Sequence, residues 1–153
     1  MAIPAVGRLL AVDWGEIRFG LALSDESQTI ASPLATLTRR AGKRFPMPAF
    51  LALVAEHRPV GLVVGLPLAG SGAEGQSARS ARELAGLLGA RTYLPVELLD
   101  ERMTTARALA AIKEQGGSTK GRRGDVDALA AAVLLQMFLE TRREVGKSGG
   151  REE

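Results

Sequence analysis

The period of apolar residues changes along this chain, from runs and alternation near the start to helical spacing later on. Leu9 to Val12 is continuously apolar, which predicts a short strand over Arg8–Val12 buried on both faces. After a break at Trp14-Gly15, large residues alternate (Ile17, Phe19, Leu21, Leu23), so Ile17–Ser24 pairs with the first strand as a hairpin. Thr29–Leu37 reads as a third strand, and Pro33 within it suits an edge position, where a missing N–H costs no ladder bond. The spacing then lengthens. Pro48 opens a helix in which Phe50, Leu51 and Val54 recur at helical intervals. Val60–Gly65 is a fourth, buried strand. Ala73–Leu88 places Ala78, Ala81, Leu84, Ala85 and Leu88 on one helical face, with Gly89 as its stop. Thr92–Leu99 is the fifth strand. Thr104 or Thr105 caps a further helix carrying Leu109 and Ile112 and ending at Gly116-Gly117. Asp125–Arg142 is the last helix, and residues 143–153 are expected to form a disordered tail.

Three consecutive strands followed by alternating helices and strands predict an α/β fold with a mixed five-stranded sheet flanked by helices. The 153 residues suffice for one core, so a single domain is expected over residues 1–142. Aromatic residues are only 4%, which points to an aliphatic interior. A net charge of +3 permits an anionic partner without identifying one. The absence of cysteine excludes disulfides, thiolate nucleophiles and cysteine-ligated metals. His57 is the lone histidine, which argues against triad hydrolases. No apolar window reaches membrane-spanning length, and a cytoplasmic protein is expected.

The candidate chemistry lies in carboxylates placed at the ends of elements. Asp13 follows the first apolar run, Glu101 follows Leu94–Leu99, and Asp127 opens the most apolar helix. Carboxylates at the rim of a core need a positive partner. If the three converge, they form an oxygen-rich site for hard divalent cations such as Mg²⁺ or Mn²⁺. The alternative is three local roles: Asp13 capping a turn, Glu101 pairing with Arg102, and Asp127 complementing its helix dipole. Neighbours on a strand face opposite ways, so one of Asp100 and Glu101 faces such a site, and the longer reach favours Glu101. Asp125 reads as the N-cap of the last helix. Gly70–Gly75 spells G-x-G-x-x-G, but Leu66–Ala69 separates it from the strand end where a dinucleotide fingerprint needs its first glycine. Asp13-x-Gly15 with Gly20 resembles the phosphate hairpin of actin-like ATPases, which need two such domains. Trp14 can stack on a base or simply pack. The basic loops Arg39–Arg44 and Lys120–Arg123 are either solvated or phosphate-facing, the second (with Arg122 and Arg123) leading directly to Asp127.

The segments LLAVDWGEIRFGLALSD, VVGLPLAGSG, LLDERMTTARA and VDALAAAVLLQMFLE resemble, in order and spacing, the YqgF/RuvX family of ribonuclease-H-like bacterial proteins, which are related to RuvC Holliday junction resolvases. The likeness covers roughly residues 8–140. It implies a ribonuclease-H-like sheet with strands one to three antiparallel and the later strands parallel. It also implies a divalent-metal nuclease whose catalytic, metal-holding carboxylates are Asp13, Glu101 and Asp127. Arg18, Arg102 and Thr105 match basic and hydroxyl positions expected near substrate phosphate. The implied role is 5′-end maturation of precursor 16S ribosomal RNA by a monomer or homodimer. The alternatives are cleavage of branched DNA as a Holliday junction resolvase, and a non-catalytic nucleic-acid-binding module. The family commonly carries Thr-Lys where this chain has Glu16-Ile17, and an apolar or basic residue where it has Asp125.

Overall fold

A computed structural model describes residues 2–40, 42–66, 75–100 and 123–150, with side chains of the last helix described over 126–143. The strands are β1 (Leu9–Asp13), β2 (Arg18–Ser24), β3 (Ala31–Thr38), β4 (Gly61–Leu66) and β5 (Val96–Asp100). The helices are α1 (Met47–His57), α2 (Gln76–Thr92) and α3 (Arg123–Gly150). The strands form one sheet in the order β3-β2-β1-β4-β5. β1, β2 and β3 pair antiparallel, whereas β1–β4 and β4–β5 pair parallel, as the sequence pattern and the family resemblance both predict.

β1 sits at the centre because it can be buried on both faces. Leu9, Leu10, Ala11 and Val12 are all fully buried, and alternation sends them to two different layers. Leu9 and Ala11 join Ala22, Val63 and the α3 residues Ala131, Leu135, Phe138 and Leu139. Leu10 and Val12 join Phe19, Leu21, Leu62, Val64 and the α1 and α2 residues Phe50, Leu84 and Leu88. The sheet is therefore a middle layer, with α1 and α2 on one side and α3 on the other. Continuous apolar runs in β1 and β4 follow from this double burial.

Composition alone suggested an aliphatic interior. The α1/α2 side instead contains a row of edge-to-face rings, with Trp14–Phe19, Phe19–Phe45 and Phe45–Phe50 centroids 6.5, 4.8 and 5.6 Å apart. Few aromatics can still dominate one region when they fall in register, and each such pair adds about 0.5–1.5 kcal/mol beyond burial.

Edge strand β3 is held from outside the sheet. Gln136 of α3 accepts from Ala31 N at 2.9 Å and donates to Thr29 O at 3.0 Å. Pro33 lies beside a register shift between Leu21 and Ala22, in keeping with its expected edge position. Nearly two turns later on α3, Arg142 donates to Gln28 Oε1 and to Ile3 O, both at 3.0 Å. Buried Gln28 in turn donates to Pro4 O and Gly7 O, which ties the N-terminal arm down.

Several element ends differ from the sequence pattern. α2 runs through Gly89 to Thr92, and the left-handed residue that stops it is Tyr93, at φ 60°, whose N–H bonds Gly89 O. A helical glycine costs only about 1 kcal/mol, so Gly89 alone does not terminate a packed helix. α3 begins at Arg123, which puts Asp125 inside its first turn and removes the N-cap role expected for it. Its backbone stays helical to Gly150, beyond the Arg142 end read from the pattern. Glu140–Lys147 lacks proline and contains good helix formers, so propagation meets no break there. The helix expected after Thr104, residues 101–122 as a whole, and Gly70–Glu74 of the glycine loop lie outside the described residues.

The β2–β3 turn is organised by one carboxylate. Asp25 accepts from Ser27 Oγ at 2.6 Å, Thr29 N at 2.8 Å and Ile30 N at 3.0 Å. The Ser27 hydroxyl first, then the Ile30 and Thr29 amides, hold its pKa down to about 2. A depressed carboxylate supports the fold above its unfolded value, and that support is lost as pH falls through the folded one. An NMR titration of the folded protein should therefore show Asp25 protonating near pH 2, with Ser27→Ala moving it upward; an ordinary midpoint near 4 in the wild type would contradict the turn geometry.

Candidate active site

The last residue of β1, Asp13, lies on the α3 side of the sheet, because Leu9 and Ala11 of the same parity pack there. Its neighbours across the ladder are Gly20 on β2 and Gly65 on β4. Two glycines beside one carboxylate leave that end of the sheet without flanking side chains. The space over Gly20 is taken by helix backbone: a Cβ added there would lie 1.9 Å from the Asp127 carbonyl oxygen. Hence α3 rests directly on β2 at the position opposite Asp13.

Residue size along this layer explains the close approach. Toward Asp13 the sheet presents Gly20, Ala22 and Ala11, and α3 meets it with Ala128, Ala131 and Ala132, all buried. The bulky contacts, Phe138 and Leu139, fall farther along the helix. Small residues on both surfaces let the axis of a helix approach a sheet more closely than ordinary packing allows.

Arg18 shares its strand face with Gly20, one alternation step nearer the hairpin. Its Nε donates to Asp127 Oδ2 at 2.6 Å, in an ion pair whose side chains are 39% and 28% exposed. The hairpin turn between Asp13 and Arg18 is tight. A Cβ on Gly15 would approach the Arg18 carbonyl oxygen to 2.2 Å, so only glycine fits that crossing. Arg39 donates to the Glu16 carbonyl oxygen and secures the outer side of the turn.

The remaining expected site residues divide clearly. Asp13, Arg18 and Asp127 are brought together at one end of the sheet. Asp100, the last residue of β5, pairs with Leu66 in register and shares the α1/α2 parity of Val96, whereas Leu99 packs with the α3 layer. Asp100 therefore lies on the sheet face away from Asp13. Glu101, Arg102, Thr105 and Arg122 lie outside the described residues. Arg123 opens α3, with only its backbone described. Trp14 packs against Phe19 and against Leu66, Ala78 and Ala81, which makes it a wall of the core. His57 lies at the other end of the sheet, at the α1 terminus, where it lines two clefts of about 430 and 440 Å³ together with Arg8.

Among the described residues, two carboxylates on adjoining elements offer the oxygen donors that a hard cation prefers. Among the described residues no set of three His, Cys, Asp or Glu side chains is gathered, and the third expected carboxylate, Glu101, lies outside them. Sequence reading did not assign Gly20 its packing role, although a glycine within an apolar strand signals close backbone approach.

A family model described as "RuvX: Holliday junction resolvase" matches residues 7–141. The chain belongs to the RuvX family. A family relative from Anaeromyxobacter dehalogenans (strain 2CP-C), named "Putative pre-16S rRNA nuclease", is 42% identical over 135 residues, covering 88% of this chain and 98% of its own. Another, of the same name and from Mycobacteroides abscessus, is 40% identical over 147 residues, covering 95% and 89%. Among solved structures, Thermus thermophilus RuvC in complex with a Holliday junction substrate superposes with TM-score 0.59 at 13% identity, covering 90% of this chain and 96% of that one. The yeast mitochondrial Holliday junction resolvase gives TM-score 0.53 at 12% identity, with 90% and 80% covered. This RuvX member thus shares the RuvC-like, ribonuclease-H-like fold.

Gly20→Ala should separate α3 from β2 and carry Asp127 away from Asp13. Overpacking against backbone typically costs about 1–3 kcal/mol, so thermal unfolding should shift down clearly. An unshifted transition would show that α3 does not rest on Gly20.

Proposed function

We propose that this protein is a divalent-cation-dependent endonuclease that hydrolyses phosphodiester bonds in structured RNA, with the 5′ end of precursor 16S ribosomal RNA as its substrate. The observation that carries this reading is the placement of Asp127 over Gly20, directly across the ladder from Asp13. Family membership supports it, as do the relatives named for pre-16S rRNA nuclease activity.

Asp13, Glu101 and Asp127 would hold Mg²⁺ or Mn²⁺. The parity of β5 supports Glu101 over Asp100, since Leu99 packs toward α3 and Asp100 does not. A cation held there would polarise the scissile phosphate and acidify the attacking water. Asp13 extends from a strand whose other four residues are fully buried, so its backbone is held by rigid packing and reorganises little during the reaction. Arg18, Arg102, Thr105, Arg122 and Arg123 are assigned to backbone phosphate, which positions a nucleic acid without reading its sequence. A chain with net charge +3 and basic loops suits such a polyanion. No helix among the described residues is long and apolar enough to cross a membrane, and we assign the protein to the cytoplasm, where ribosomal RNA is processed.

The second reading is a Holliday junction resolvase acting on branched DNA as a homodimer. It is favoured by the description of the family model and by the RuvC–junction complex among the structural neighbours. Purified protein should be assayed on a precursor RNA hairpin and on a four-way DNA junction, with each metal and with chelator, alongside its mass in solution. Metal-dependent cleavage of the RNA alone supports the first reading, and symmetric junction cleavage by a dimer supports the second. Binding without cleavage under every metal would reduce the protein to a binding module.

Asp13→Asn should lower cleavage at least about a hundredfold, equivalent to about 2.7 kcal/mol of barrier. Its unfolding transition, and its RNA affinity measured in chelator, should stay near wild type. Undiminished cleavage by this variant would remove Asp13 from the mechanism.

A further inference from the structure

The Arg18–Asp127 ion pair joins two residues with different proposed tasks. Asp127 is assigned to the cation and Arg18 to substrate phosphate, yet Arg18 Nε lies 2.6 Å from Asp127 Oδ2. The contact follows from the fold. Arg18 is on the same β2 face as Gly20, over which the Asp127 backbone rests, so the side chain emerges beside the carboxylate.

A guanidinium and a divalent cation on one carboxylate repel each other. Their repulsion at separations of several ångströms is on the scale of a tenfold change in affinity at a partly exposed site. With 39% and 28% side-chain exposure, the pair is open to exchange, not sealed in the core. Arg18 engages Asp127 through Nε, and a guanidinium carries four more N–H groups, on its two Nη nitrogens, in a planar fork suited to phosphate oxygens.

We propose that Arg18 is a positioning residue that occupies Asp127 in the nucleic-acid-free protein, keeps cation affinity low there, and yields the carboxylate to the cation when substrate phosphate draws the guanidinium away. The inference rests on the cation-site reading above and adds to it an order of assembly. Cation and nucleic acid then bind with positive coupling, and linkage makes that coupling reciprocal. A purely structural ion pair that orients Asp127 for the metal has the opposite signature, because losing it would weaken cation binding.

The test measures Mn²⁺ binding to the full-length protein by calorimetry and by Trp14 fluorescence, without activity as the readout. Titrations are run alone and with a hydrolysis-resistant phosphorothioate RNA hairpin at saturation. Arg18→Gln should bind Mn²⁺ about tenfold more tightly than wild type in the free protein. The hairpin should tighten Mn²⁺ binding to wild type and leave Arg18→Gln nearly unchanged. Arg18→Lys, which keeps the charge, should return Mn²⁺ affinity toward wild type. Equal or weaker Mn²⁺ binding by Arg18→Gln overturns the proposal while leaving the cation site standing. If neither wild type nor variant binds Mn²⁺, with or without RNA, the cation-site reading fails and the coupling fails with it. Asp127→Asn is the control that should weaken Mn²⁺ binding in both conditions.

Discussion

The carbonyl oxygen of Asp127 occupies the place where any residue but glycine at position 20 would put its Cβ. This steric fit sets the depth at which α3 lies on the sheet, and with it the spacing of the site. Because Gly20 is the ladder partner of Asp13, one packing contact aligns two carboxylates from opposite ends of the chain. The small residues around it, Ala11, Ala22, Ala128 and Ala131, extend the same close approach, and the larger Phe138 and Leu139 anchor the far end.

That arrangement needs a rigid support, and β1 supplies it by being buried on both faces. Its alternate residues belong to different layers, so a shift of one position would turn Asp13 into the α1/α2 core. The edge-to-face row from Trp14 to Phe50 stiffens the opposite face directly behind the site. On the near side, Gln136 and Arg142 bind α3 to the β3 edge and the N-terminal arm. A site held from both faces keeps its acidic groups in place before any ligand arrives, which is what a polar reaction centre requires.

Among the described residues, charge at this end of the sheet is offset in one pair. Asp127 is met by Arg18, and the exposed Glu16-Ile17 pair occupies positions where the resembling family commonly carries a threonine and a cation. With no lysine at position 17, Arg18 is the cation that this hairpin brings to Asp127. The clefts beside His57 and Arg8 lie at the opposite end of β1 and take no part in this balance.

Much of the architecture is legible in the sequence because its signals are local. Continuous apolar runs mark β1 and β4, alternation marks β2, and the spacing of Ala78, Ala81, Leu84, Ala85 and Leu88 marks the buried face of α2. Asp13 at a strand end is visible for the same reason. Element ends are less legible: Gly89 looks like a stop, but packing carries the helix to Thr92, where Tyr93 takes the left-handed turn. The chain by itself thus determined the elements, the buried faces and the acidic residues worth attention. The tertiary structure decided the order β3-β2-β1-β4-β5, the meeting of Gly20 with Asp127, and the choice of Asp127 as the partner of Arg18. Those two paired residues stand 109 positions apart, and local periodicity carries no information about contacts that only sheet pairing and helix docking bring together.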